Sequence, residues 1–205
     1  MEGLQVLDTQ SYWDRRYSDG GNSGNGSCGY LLDFKAQYIN SFIRLNNIDS
    51  IQDFGCGDGS LLSKLDIKDK VYCGYDVSNF LLESLRVKYD KQFLHFDEYD
   101  GSIISDLVLS IDVIFHLVDD EVYRRYIETI QKATRKFLII YSSDTDDNGL
   151  FGSHIRHRKF SDDIRMKMIK KTPNRYPYLT YGEKGSFSDF YIFQTPELEL
   201  TKILK

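Results

Sequence analysis

The feature that most constrains the fold of this chain is an alternation. Five short runs rich in apolar, β-branched and aromatic residues, SIQDF (50–54), VYCGYD (71–76), QFLHFD (92–97), DLVLSID (106–112) and KFLIIYSS (136–143), are separated by stretches with apolar residues at helical spacing. Strands that alternate with helices build βαβ units and a parallel sheet. The helical stretches carry end signals. Ser78 or Asn79 caps a helix through SNFLLESLRVKY, with Phe80, Leu81, Leu85 and Val87 on one side. Asp119 and Asp120 suit the start of VDDEVYRRYIETIQKA, in which Val122, Tyr126, Ile130 and Ala133 recur. SLLSKL opens a short helix after the first strand, and YLLDFKAQYINSFIRL forms a longer one before it. Near the end, SFSDFYIFQT and ELELTKIL return to strand patterns and predict a late strand pair.

With 205 residues, 41% of them hydrophobic, the chain suits one domain with a sizeable core. No stretch approaches the ~18–20 apolar residues of a membrane span, and MEGLQVLDTQ lacks the basic and apolar regions of a signal peptide, so a cytoplasmic location is expected. Cys28, Cys56 and Cys73 show no metal-ligand spacing and are expected as reduced thiols. A net charge of −5 argues against general affinity for nucleic acid, which needs cations to displace phosphate counterions. Residues 150–184 depart from that mean, with nine lysines and arginines against three acids.

The first strand runs into IQDFGCGDGSLL, where Asp53 precedes Gly55, Gly57 and Gly59. A strand that turns through bare glycines into a helix lets a ligand approach the main chain. The dinucleotide pattern GxGxxG fails at Ser60, and the P-loop lysine is missing. The pattern D-x-G-x-G-x-G closely resembles the first motif of the class I S-adenosylmethionine-dependent methyltransferases. Asp76 ends the second strand 21 residues past Gly55, where an acidic residue can accept hydrogen bonds from both ribose hydroxyls; it could also serve only as a helix cap. SIDVIFHLVDD is similar to the family's fourth motif, although Phe115 stands where a glutamate is common.

The resemblance implies a Rossmann-like, doubly wound α/β fold with a mostly parallel seven-stranded sheet and an antiparallel C-terminal strand. It implies one methyltransferase domain, with a lid and helix over 1–49, a cofactor-binding core over 50–145, a substrate-recognition segment over 146–184 and C-terminal strands over 185–205. The implied cofactor contacts are Arg16, Tyr17, Asp53, Gly55, Cys56, Gly57, Asp76, Val77, Phe96, Asp97 and Ser110. Small methyltransferases that share YWDRRY, the GGNSGNGS loop, FHLVDD and HIRHRKF include many associated with glycan modification, which implies O-methylation of a sugar or glycan; another small metabolite or RNA is the alternative, as is a non-catalytic cofactor-binding module. The chain lacks the [DNS]-P-P-[YFW] signature of enzymes that methylate nucleobase amino groups.

The chemistry then falls to a few side chains. Methyl transfer depends chiefly on positioning, with a base needed where a hydroxyl must lose its proton. His116, just after the fourth strand, is the expected base, and Asp112 would orient it or hold substrate; a loop anchor and a helix cap are the plainer readings. His154, Arg156 and His157 are expected to bind substrate, since arginine forks favour anions and the acceptor could carry an acidic group. Asp112 and His116 with His154 or His157 would also make a divalent-metal constellation, a less favoured arrangement. The five-glycine stretch SDGGNSGNGSCG (18–29) is expected to be a lid rather than a linker.

Overall fold

A computed structural model describes residues 9–149 and 154–196. Helices α1 (Thr9–Ser18) and α2 (Gly29–Leu45) lead into β1 (Ser50–Phe54). Then follow β2 (Val71–Asp76), α3 (Asn79–Lys88), β3 (Gln92–His95), β4 (Ser105–Ile111), α4 (Asp120–Lys132) and β5 (Thr134–Ser142). The last described elements are β6 (Lys167–Thr172), the short α5 (Tyr178–Tyr181) and β7 (Asp189–Gln194). These strands form one seven-stranded sheet in the order β3-β2-β1-β4-β5-β7-β6. β1 to β5 pair in parallel, whereas β7 runs antiparallel between β5 and β6.

Both faces of the sheet are covered, which is why the central strands read as continuous apolar runs. Leu107 and Leu109 of β4 with Ile139 of β5 meet Ile39 and Ile43 of α2 and Leu82 and Leu85 of α3 on one face. Val108, Leu138 and Ile140 meet Tyr123, Ile127 and Ile130 of α4 on the other. Chain order reverses at β1, since β2 lies on one side of it and β4 on the other. A crevice therefore opens at the carboxyl ends of β1 and β4.

Several expectations need correction. SLLSKL makes only a 3-10 turn, Leu62–Lys64, and QFLHFD leaves the sheet after His95. Ser78 caps α3, accepting from the Leu81 amide at 3.5 Å, but the buried face is Leu81, Leu82 and Leu85. Phe80 and Val87 stand 54% and 90% exposed, because the helix phase set by the cap turns them outward. KMIKKT, within the segment expected to recognise substrate, forms the edge strand β6, which was not among the expected strands; almost all of it is exposed, so no apolar alternation marks it. ELELTKIL lies outside the described residues. Among the described residues, no helix is long and apolar enough to cross a membrane.

This packing makes a direct comparison possible. Leu138→Ala, at a fully buried site, should cost about 2–5 kcal/mol in denaturant unfolding, whereas Val87→Ala should stay within about 0.5 kcal/mol. Equal losses at the two positions would contradict the core assignment.

Candidate functional site

Past Phe54 the chain turns through Gly55 (φ 87°) and Gly57 (φ 53°), left-handed conformations that side chains strain to adopt. Space is as restrictive as torsion. A Cβ on Gly55 would lie 2.3 Å from Val113 Cγ2, and one on Gly57 2.6 Å from Ser23 Oγ. The turn is tied to β2: the Gly55 and Cys56 amides donate to the Tyr75 carbonyl at 2.7 and 3.0 Å. The Gly57 amide donates to Asp76 Oδ2 at 2.9 Å, and the Ser78 amide to Oδ1 at 3.0 Å. Burial raises the Asp76 pKa, partly offset by these two amides. The α3 cap is supplied by Ser78, and the Asp76 carboxylate, with two lone pairs on each oxygen, keeps acceptor capacity beyond the amide bonds it receives.

Beside this turn lies a cavity of about 390 Å³. It brings together Tyr17, Asp53, Gly55, Cys56, Gly57, Asp76, Val77, Phe96, Asp97, Asp112 and His116. Asp97 pairs with Arg125 at 2.9 Å, and the Arg125 guanidinium lies 5.4 Å from the Phe96 ring centre. The other expected residues lie off the cavity wall. Ser110 is buried in β4, accepting from Tyr126 Oη at 2.8 Å. Arg16 donates through Nε to the Asn22 carbonyl at 2.7 Å and so braces the glycine-rich loop. His154 stacks on Tyr12 with centroids 5.1 Å apart. Arg156 pairs with Asp120 at 3.1 Å and donates to the Val118 carbonyl. His157 is buried against Ser143 Oγ, 2.5 Å from Nδ1. HIRHRKF thus braces the loop after β4, helped by Arg158, which pairs with Asp120 at 2.6 Å.

Electrostatics divide the cavity. Burial pushes the Asp53 carboxyl up to about 7; the Tyr72 hydroxyl donates to Oδ2 at 3.0 Å, while Oδ1 has no hydrogen-bond partner among the described residues. Burial also pushes His116 down to about 4. Its Nδ1 lies 3.3 Å from the His154 carbonyl, which can only accept, so Nδ1 carries the proton and Nε2 is the acceptor. The Trp13 ring meets the imidazole edge-on at 5.0 Å. Six aspartates line the wall (Asp53, Asp58, Asp76, Asp97, Asp112, Asp119) against two permanent cations, Lys35 and Arg125.

Sequence reasoning missed Lys35 and Ser23. Lys35 is 2% exposed, and its Nζ lies 2.5 Å from Asp112 Oδ2. The signal was a lysine at a core position of a helix, between Leu31 and Ile39. Ser23 docks the glycine-rich loop on the turn: its amide donates to Asp58 Oδ2 at 3.2 Å, and its Oγ accepts from the Asp58 amide at 3.1 Å. Among the described residues, no three His, Cys, Asp or Glu side chains are grouped closely enough to hold a metal ion, since Asp112 turns to Lys35 and His157 to Ser143.

No family model matches the chain, and no curated protein matches it in sequence. Solved structures do match in shape. The N-methyltransferase NodS from Bradyrhizobium japonicum WM9, in complex with S-adenosylhomocysteine, aligns at TM-score 0.66 and 14% identity over 92% of this chain and 98% of its own. A 1,6-didemethyltoxoflavin-N1-methyltransferase from Burkholderia thailandensis aligns at 0.69 and 15% identity, over 91% and 86%. Magnesium protoporphyrin IX methyltransferase from Synechocystis PCC 6803 aligns at 0.60 and 16% identity, over 92% and 100%. The fold is that of the S-adenosylmethionine-dependent methyltransferases. In this methyltransferase fold, the lone pairs of Asp76 and the unpartnered Asp53 Oδ1 give the cavity a polar wall of the kind a nucleoside cofactor would fill.

The Asp53 carboxyl gives a pH test. Its folded pKa, about 7, exceeds the ordinary 3.8, so the folded protein keeps a proton that the unfolded chain has released. The resulting stability is full below about pH 4 and lost as pH rises through about 7. Asp53→Asn has no such proton to lose. Its stability relative to the parent, from denaturant midpoints, should improve between about pH 5 and pH 8, and a pH-independent difference would contradict the assignment.

Proposed function

We propose that the chain transfers the methyl group of S-adenosylmethionine to a hydroxyl of a sugar or glycan. The observation that carries the cofactor reading is the Asp76 carboxylate, held by the Gly57 and Ser78 amides with lone pairs to spare for two ribose hydroxyls. Val77 and Phe96 line the adjoining wall, beside Asp97, where the adenine would lie. The methionine part would lie along the stretch of wall that Gly55, Gly57, Tyr17 and Ser23 line together. A cofactor with a sulfonium and an ammonium suits a wall of six aspartates.

The cofactor supplies an electrophilic methyl on sulfur; the chain must present a nucleophile to it and take up a proton. His116 is neutral above about pH 4, and its Nε2 can receive a hydroxyl proton as the new O–C bond forms and the C–S bond breaks. Asp112, on the same wall, can hold a second donor of the acceptor. The permanent cations of the wall are engaged, Lys35 with Asp112 in this half and Arg125 with Asp97 at the adenine end, and Arg156 behind the wall pairs with Asp120. That favours an uncharged, donor-rich acceptor such as a sugar over an anionic one. The aspartate-rich wall also favours a second reading, methylation of an amine, as in the N-methyltransferases of similar fold.

Calorimetry with S-adenosylhomocysteine tests the cofactor assignment. Asp76→Ala should weaken binding by about 1.5–3 kcal/mol; an indifferent variant, or binding of a nicotinamide dinucleotide instead, would overturn it. The pH profile tests the acceptor. For a hydroxyl, kcat should stay flat from about pH 6 to 8, because His116 is already neutral, and His116→Ala should lower it about 10²–10⁴-fold. A rate that instead follows deprotonation of an amine, with little effect of His116→Ala, would select the second reading.

A further inference from the structure

The buried lysine beside the acceptor half of the cavity has no part in the scheme so far. Lys35 projects from the core face of α2, with its Nζ 2.5 Å from Asp112 Oδ2 and 5.5 Å from the Tyr141 ring centre. The other carboxylate oxygen accepts from Ser188 Oγ at 3.2 Å, so α2 and the segment before β7 grip Asp112 from two directions. The backbone of Asp112 is left-handed (φ 59°), and its amide donates to the Tyr141 carbonyl at 2.9 Å. Aspartate adopts that conformation more readily than most side chains but still at some cost, which these contacts help to offset. Above the pair sits Gly26, whose absent Cβ would be 3.1 Å from Asp112 Oδ2 and 3.7 Å from Lys35 Nζ.

Stability alone does not account for this arrangement. A buried ion pair contributes little net stability compared with apolar side chains of similar volume, because both charges must be desolvated. The rest of the α2 core face is apolar apart from Lys35: Leu31, Leu32, Ala36, Ile39 and Ile43. What the lysine adds is a fixed carboxylate on the cavity wall, since Asp112 lines the cavity and its side chain is still 19% exposed. Each oxygen of that carboxylate has lone-pair capacity beyond the bond it already makes. We propose that Lys35 is a positioning residue: with Ser188 it fixes the Asp112 carboxylate in a strained, cavity-facing conformation, and Asp112 in turn orients a hydroxyl or ammonium of the acceptor beside His116. This rests on the methyltransferase reading above.

Two variants separate positioning from simple structural support. Lys35→Met keeps the length and removes the donor; Lys35→Gln keeps an N–H donor without the charge. Both are to be crystallised with S-adenosylhomocysteine and assayed with whichever hydroxyl or amine acceptor the parent protein methylates best. In Lys35→Met the Asp112 carboxylate should leave its place and φ should relax to negative values. Turnover should fall about 10²-fold, the effect of a misplacement of about 1 Å, while S-adenosylhomocysteine still binds. Asp112→Asn should lose as much, and the double variant no more than Asp112→Asn alone, because both changes remove one unit. Lys35→Gln should keep Asp112 in place and recover part of the turnover. Should Lys35→Met not fold, a Lys35→Gln structure with Asp112 in place and turnover intermediate between parent and Asp112→Asn supports the proposal. An unmoved Asp112 in Lys35→Met would overturn it, as would multiplying losses in the double variant or a Lys35→Gln no better than Asp112→Asn. Failure of the underlying reading looks different: the parent protein itself would not bind S-adenosylhomocysteine.

Discussion

The hydrogen bond from the Gly57 amide to the Asp76 carboxylate joins the ends of two adjacent strands, and the candidate site is organised around it. It requires that β1 and β2 be parallel neighbours, so that both end at one edge of the sheet. It also requires a left-handed backbone at Gly55 and Gly57, because only that path brings the Gly57 amide round to face β2. Tyr75 secures the same turn by accepting from two successive amides. The glycine-rich loop then docks on this turn through Ser23 and Asp58, filling the space that a side chain at position 57 would need. A substitution at Gly57 would therefore disturb strand coupling, ligand cradle and loop together.

Charge is distributed with equal economy. The cavity wall is dominated by aspartates, yet burial keeps Asp53 protonated over part of the physiological range and keeps His116 neutral. The permanent cations of the wall are each committed to a particular carboxylate, Lys35 to Asp112 and Arg125 to Asp97. Cations outside the wall serve the scaffold: Arg156 and Arg158 both engage Asp120 at the start of α4 and hold the loop that carries His116. The positive balance of residues 150–184 is thus partly consumed in shaping the site from behind.

Much of this was legible in the sequence where one local rule dominated. Strand–glycine–helix punctuation located the turn, and the spacing from Gly55 to Asp76 located its partner, because both depend on short-range geometry in a βαβ unit. The edge strand β6 was not legible, since KMIKKT buries almost nothing and so shows no period. The contacts of HIRHRKF were not legible for another reason: arginine is equally able to bind a ligand or to bridge a loop carbonyl and an aspartate, and only the fold shows that Val118 and Asp120 lie beside Arg156. Lys35 was visible as an exception to an apolar helix face, but its partner lies 77 residues away. Long-range pairs of this kind are set by topology rather than by local pattern.

The central claim is that the Gly57–Asp76 junction holds the ribose of an adenosyl cofactor, and a crystal structure of the complex with S-adenosylhomocysteine tests it most directly. The expected result is both ribose hydroxyls within about 2.5–3.0 Å of the Asp76 oxygens, with the homocysteine part over Gly55 to Gly57. Density for the nucleoside elsewhere on the molecule, or in the cavity with its ribose turned away from Asp76, would contradict it.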